Sequence, residues 1–286
     1  MGIRMRESER RVETVAWTAA PVRVRDLVGY GALIVAPHPD DEVLGCGGLL
    51  ASARRPDAIE VLVLTDGALS PPAAVGDPGL VALRREESLG ALDALGISER
   101  YVSFAGLPDG ELSSEAAELD RELRDAATRT SATDVFVPFR FDRHPDHVAT
   151  YAAGERLARR AGVRLWEYFV YPFWRLLPRG DVRAHLRPGT LYALELDGGT
   201  RAAQRAALEL YRSQTEPWGG GPGRPVLSPK HLDRVCAGPE VYLRHEVARP
   251  GAAVLKGTGA WFQVARRVEP GLKRAKDALL ERRGRA

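Results

Sequence analysis

The sequence predicts an α/β protein, a mostly parallel sheet with helices on both faces, and three observations predict it. Apolar runs bounded by turn signals, Ala32 to Ala36 (ALIVA), Ile59 to Leu64 (IEVLVL) and Asp134 to Pro138 (DVFVP), have the length of buried strands. Between them lie segments with the 3.6-residue apolar spacing of helices. Strand, helix, strand is the unit that builds a parallel sheet, so the alternation implies helices on both sides of it.

Residues 1–29 read as a charged lead-in. ALIVA is followed at once by a Gly-rich stretch, Asp41 to Ala53, so the first unit is strand, sharp turn, helix. The second strand ends in Thr65-Asp66-Gly67, and Leu80 to Leu95 reads as a helix closed by Gly96. Tyr101 to Phe104 gives a short strand, Ser113 to Thr130 a helix, and DVFVP the next strand. After about residue 163 the pattern changes. Leu165 to Trp174 and Thr190 to Leu196 are aromatic or alternating strands, then comes a helix from Thr200 to Ser213. The Gly/Pro-rich stretch Pro217 to Pro225 is a candidate lid or substrate wall. On this reading residues 30–250 form the main domain and residues 251–286 a basic tail. From Arg266 the tail carries eight Arg or Lys against three acidic residues, which fits a solvated terminal helix better than one lying on a membrane surface.

Composition narrows the function classes. A chain of 286 residues, 44% hydrophobic, can bury a large core. Its net charge of +3 is the small difference between 41 basic and 38 acidic residues, too slight to argue for nucleic acid. Cys46 and Cys236 cannot build a disulfide framework and neither sits in a CxxC pair, so a reducing cytoplasm is expected. No window reaches the roughly 18 apolar residues of a membrane span, and Met1 to Arg11 carry no apolar leader.

The chemistry sits in two short clusters. Pro37-His38-Pro39-Asp40-Asp41-Glu42 follows the first strand, and His144-Pro145-Asp146-His147 follows DVFVP. In an open α/β sheet the ligand crevice lies at the carboxyl ends of the strands, so the two loops can meet. Three of the six histidines fall in these segments beside carboxylates, and imidazole with carboxylate is the ligand set of a hydrolytic zinc site. His38 and Asp41, three apart at a helix entry, can project to one side while Asp40 points elsewhere. His144 and His147 share that spacing, and only one is needed as the third ligand. Either cluster alone also reads as a helix-capping turn; both together, at equivalent positions after strands, favour a metal site.

APHPDDEVLGCGG, with HPDH about one hundred residues later, resembles the PIG-L/LmbE-like family of zinc-dependent N-deacetylases. The similarity covers roughly residues 30 to 215, including RREESLGALDALGI and GLPDGEL. The resemblance implies a Rossmann-like fold and removal of an N-acetyl or N-acyl group from an amino sugar or N-acetylglucosaminyl conjugate. It implies one Zn²⁺ per chain, with Fe²⁺ or Co²⁺ as substitutes, held by His38, Asp41 and His147. Asp40 would be the general base, His144 the second catalytic group, protonated to hold the oxyanion, and Asp146 its orienting partner.

For substrate binding, the family's R-x-x-E pattern ahead of an LG turn selects Arg84 with Glu87, and LPDG selects Asp109 as a partner for sugar hydroxyls. Tyr211-Arg212-Ser213-Gln214 resembles a late YRSQ-like signature to which no role is assigned. Mycothiol-type members carry a tyrosine where this chain has Asp142, which argues against a mycothiol-type substrate. Cys46 reads as a packing residue, His185, His231 and His245 as surface or hydrogen-bonding histidines, and the aromatic run Trp166 to Trp174 as core rather than a sugar platform. A metal phosphoesterase would need a second acidic cluster, and a non-catalytic nucleotide-binding protein a GxGxxG turn after the first strand; neither is present.

Overall fold

The computed structural model describes residues 19–70, 78–140, 142, 144–170, 191–217 and 225–245. Tyr171, Phe173, Trp174, His185, most of the 217–225 loop and the 251–286 tail lie outside the described residues. The strands are β1 (Ala20–Val22), β2 (Ala32–Ala36), β3 (Ile59–Thr65), β4 (Val102–Leu107), β5 (Asp134–Pro138), β6 (Arg164–Tyr168), β7 (Leu191–Leu194) and β8 (Glu240–His245). The helices are α1 (Val24–Leu27), α2 (Asp41–Ala51), α3 (Pro78–Ala94), α4 (Ala116–Arg129), α5 (Pro145–Ala161), α6 (Gly198–Glu209), α7 (Arg212–Thr215) and α8 (Pro229–Val235).

All eight strands form one sheet in the order β1-β7-β8-β6-β5-β2-β3-β4. Only β8 runs against its neighbours, β6 and β7; every other pairing is parallel. The mostly parallel α/β fold expected from the sequence is therefore the fold. The chain runs outward from β2 through β3 to β4, then returns to the other side of β2 as β5. That reversal makes the gap between the carboxyl ends of β2 and β5 the topological switch point of the sheet.

Alternate residues of the central strands feed two separate cores. Ala32, Ile34 and Ala36 of β2 pack with α2, α3 and α6, while Leu33 and Val35 pack with α4 and α5. Burial on both faces is why ALIVA and DVFVP carry no polar alternation. The glycines of α2 serve close packing. A Cβ on Gly45 would lie 2.1 Å from the Tyr168 ring, and one on Gly48 would lie 2.5 Å from Leu196, so only glycine lets the helix approach β6 and the segment after β7 this closely.

Several elements differ from the sequence expectation. The helix read over Thr200 to Ser213 breaks at Leu210 and Tyr211, where ψ turns to 64° at Tyr211 before the short α7 begins. The sheet also reaches into the lead-in as β1, and α5, α8 and β8 carry no strong pattern of their own in sequence. In α5 the His and Asp of the HPDH cluster occupy the first turn and mask the apolar period.

Candidate active site

Four loops converge at the carboxyl ends of β2, β3, β4 and β5. The β2–α2 loop is pinned to β3, because Pro37 O accepts both the backbone N–H (2.9 Å) and the hydroxyl (2.8 Å) of Thr65. Its last residue, Asp40, caps α2 with φ 128°, and Asp41 and Glu42 occupy the first helical turn, where the macrodipole favours negative charge. On the other side of the switch point His144 caps α5, followed by Pro145, whose missing N–H is of no consequence there.

Asp41 joins the two loops. Its Oδ2 lies 3.0 Å from His38 Nδ1 and 3.2 Å from His147 Nε2, and it also accepts the His38 N–H. Bonds of about 2.0–2.1 Å to zinc would set tetrahedral ligand atoms roughly 3.3 Å apart, a spacing close to that between Asp41 Oδ2 and each of the two ring nitrogens. Each histidine's other nitrogen is backed by carboxylate. His147 Nδ1 meets Asp142 Oδ2 at 3.0 Å, and His38 Nε2 lies 3.2 Å from both Asp109 Oδ1 and Asp146 Oδ2. This is the outer support that metal-binding imidazoles ordinarily have. The groups of three whose ligand atoms all lie within 4.8 Å of one another, among the described residues, are His38 with His144 and His147, and His38 with Asp109 and Asp146.

The charges follow from this packing. Burial works to lower the His147 pKa, but the Asp41 and Asp142 carboxylates outweigh it and raise it to about 10. His38 is likewise raised, against burial, by Asp109, Asp146 and Asp41. Asp41 is held well below the usual carboxylate range by His147 and His38, again against burial. Asp40 moves the other way: burial, reinforced by Asp41 and Glu42, outweighs the Arg84 guanidinium and pushes it up to about 8. His144 falls to about 4, through burial and the positive charge of His38 and His147.

The structure separates the two histidines of HPDH. The His147 side chain is 1% exposed, whereas that of His144 is 35% exposed, with Nδ1 accepting the Asp146 N–H at 3.3 Å. His144 is thus the imidazole at the open side.

Arg84, expected on the sugar, is 3% exposed, and its guanidinium donates to Gly67 O (3.1 Å) and Pro39 O (2.5 Å) while standing 3.4 Å from Asp40 Oδ2. Helix α3 packs under both loops, so the arginine clamps them together. The Asp109 carboxylate is engaged by His38 and by the Leu69 N–H (2.9 Å) rather than turned to solvent. Asp146 stands 4.0 Å from His144 Nδ1, because its oxygens take the N–H groups of Gly110 (2.7 Å) and Leu112 (3.1 Å) and back His38. His144 is oriented by the backbone of Asp146, not by its carboxylate. Asp142, read from sequence only as a missing tyrosine, is the residue that sequence reasoning missed; its position two residues before an HPDH cluster was the available signal.

The PIG-L sequence model, described as GlcNAc-PI de-N-acetylase, matches residues 33–158, a span that holds all of these residues. A 2'-N-acetylparomamine deacetylase of Streptomyces fradiae is 33% identical over 205 residues, 64% of this chain and 73% of that protein. The chain belongs to the PIG-L family. Its reaction class is that of the family, hydrolytic N-deacetylation of an amide. A second PIG-L relative, the 1D-myo-inositol 2-acetamido-2-deoxy-alpha-D-glucopyranoside deacetylase of Corynebacterium diphtheriae, is 26% identical over 233 residues, 67% of this chain and 78% of that protein. A solved structure of the zinc-inhibited form of teicoplanin deacetylase Orf2 shares the PIG-L fold, with a TM-score of 0.55 at 22% identity over 76% of this chain and 99% of that one. Among the described residues no helix is long and apolar enough to cross a membrane.

Proposed function

We propose that this protein is a zinc-dependent deacetylase that removes an N-acetyl group from an amino sugar or N-acetylglucosaminyl conjugate. The observation that carries the reading is that Asp41 Oδ2 meets both His38 Nδ1 and His147 Nε2, each histidine backed by a carboxylate, beside a buried acid and a half-buried imidazole. That donor set suits zinc, with Fe²⁺ or Co²⁺ as substitutes, and a divalent cation there offsets the buried negative charge of Asp41 and Asp142. The relatives that act on paromamine and inositol conjugates of acetylated amino sugars support the substrate class.

When bound, zinc supplies Lewis-acid polarisation of the amide carbonyl and acidifies the attacking water. Asp40, whose burial gives it a proton affinity near neutrality, takes the water proton. His144 keeps Nδ1 on the Asp146 N–H, so its neutral form carries the proton on Nε2 and donates that N–H to the developing oxyanion. In this reading a neutral donor takes the place of the protonated imidazole expected from the sequence, because Nδ1 accepts the Asp146 N–H and so carries no proton of its own. Asp40 then returns its proton to the departing nitrogen, releasing acetate and a free amine. Arg84 supports the site through Pro39 O and Gly67 O, and Asp109 through His38 and the Leu69 N–H.

The test is metal content and amine release in one set of variants, across a panel of N-acetylglucosaminyl conjugates. Wild type should hold about one zinc per chain. Asp41→Ala and His147→Ala should lose zinc and activity together. Asp40→Asn and His144→Ala should keep zinc while kcat falls on the order of a hundredfold. Zinc lost from His144→Ala but kept in His147→Ala would reverse the two assignments, and zinc-loaded wild type that releases no amine from any conjugate would overturn the reading.

A further inference from the structure

Residues that the reaction scheme leaves unused meet behind Asp40. Among the described residues only Asp40 and Ser131 combine a side chain with positive φ, and at 128° Asp40 lies outside even the left-handed helical well. Such a conformation persists only where the surroundings over-determine it. Here the Asp40 N–H donates to Glu42 Oε2 at 3.0 Å, and Arg84 holds the preceding carbonyl of Pro39. Glu42 is fully buried, and its Oε1 takes hydroxyl hydrogens from Ser88 (2.5 Å) and Tyr211 (2.7 Å).

Tyr211 opens the YRSQ segment, and the next residues reach the other two motif loops. Ser213 donates its N–H (2.8 Å) and hydroxyl (2.6 Å) to Glu87 of α3, and Gln214 accepts the Ser70 hydroxyl (2.8 Å). The neighbour of Ser70, Leu69, holds Asp109, which holds His38. The break between α6 and α7 is what turns these side chains inward.

We propose that Glu42 is a positioning residue for the reaction and that the Tyr211–Gln214 segment is its brace, fixing the carboxylate that keeps Asp40 in its strained backbone beside the His38/Asp41/His147 cluster. The proposal rests on the general-base role given to Asp40 above. A buried glutamate that merely capped α2 would leave Asp40 free to relax to an ordinary helix-cap conformation, extended backbone with negative φ.

The experiment places Glu42→Gln and Tyr211→Phe, singly, in zinc-loaded wild type and in Asp40→Asn. A glutamine keeps one acceptor oxygen and puts an NH2 donor in place of the other, so it can serve the Asp40 N–H or the two hydroxyls but not both, and phenylalanine keeps the ring while removing one donor to Glu42. Expected are a kcat loss of about tenfold for Glu42→Gln and roughly threefold for Tyr211→Phe, with KM and zinc content unchanged. In Asp40→Asn those losses should shrink to less than about twofold, since the group being positioned is gone. The Asp40 amide should exchange with solvent at least about tenfold faster in both variants, a readout that needs no turnover. Losses that persist in full in Asp40→Asn, zinc lost in step with activity, or unchanged exchange would overturn the proposal. Should wild type release no amine from any conjugate, the deacetylase reading falls by itself and amide exchange alone decides the brace. If Glu42→Gln does not fold, Tyr211→Phe carries every arm.

Discussion

Asp142 shows how one residue can serve two histidines. Its Oδ2 lies 3.0 Å from His147 Nδ1, on the side of the ring away from Asp41, and its Oδ1 accepts the His144 backbone N–H at 3.0 Å. Asp142→Asn keeps the shape and removes the charge, so zinc affinity should fall about tenfold, the lower end for loss of a carboxylate behind a metal-binding imidazole. A chelator competition giving the wild-type Kd would show that Asp142 does not tune the ligand. The histidines and acids of the two clusters were legible in sequence because spacing alone, three residues at a helix entry, decides which side chains share a side. Their outer partners were not. His38 and Asp146 are 108 residues apart, and which carboxylate backs which ring is set by where the β4–α4 loop happens to land.

Element by element, periodicity found the strands and helices whose apolar faces are packed on the sheet. It failed where polar contacts shape the chain. The α6–α7 break follows the need of Tyr211 to reach Glu42, and nothing in the apolar pattern of Thr200 to Ser213 marks it. The partners of Arg84 were hidden for the same reason, since hydrogen bonds to backbone carbonyls leave no trace in the apolar pattern. It ties α3 to the two loops beside it, so Arg84→Ala should remove two hydrogen bonds, take the Arg84 donor from buried Pro39 O, leave Gly67 O only the long contact from the Ser70 N–H (3.5 Å), and cost about 2–4 kcal/mol. Arg84→Lys should recover little of that, because one ammonium cannot span both carbonyls with Asp40 alongside. Urea denaturation checks both variants; a stability within about 0.5 kcal/mol of wild type for Arg84→Ala would show that it does not hold the two loops together.

At the scale of the described fold, the two ends of the sheet's chain are joined by another buried acid. Glu240, at the start of β8, accepts the N–H groups of Gly48 (2.5 Å) and Leu49 (2.8 Å) in α2, the Tyr242 hydroxyl (2.7 Å) and the Gln204 amide (3.0 Å). Those two N–H groups lie near the end of α2, so the acid latches β8 and α6 to the helix that carries Asp41 and Glu42. Burial still outweighs the four donors and pushes the Glu240 pKa up to about 7 from its ordinary 4.5. The folded protein therefore binds this proton more tightly than the unfolded chain does. Its contribution to stability is complete below about pH 4.5 and is lost as the pH rises through about 7, on the order of 3 kcal/mol across that window. Glu240→Gln resembles the protonated acid but cannot titrate. Subtracting its unfolding free energy from that of wild type, pH by pH, cancels the other titrating groups. That difference should decline steadily from pH 4.5 to 7.5 and then level off, and curves that run parallel through the window would show that Glu240 is ionised throughout, held by its four donors in spite of its burial.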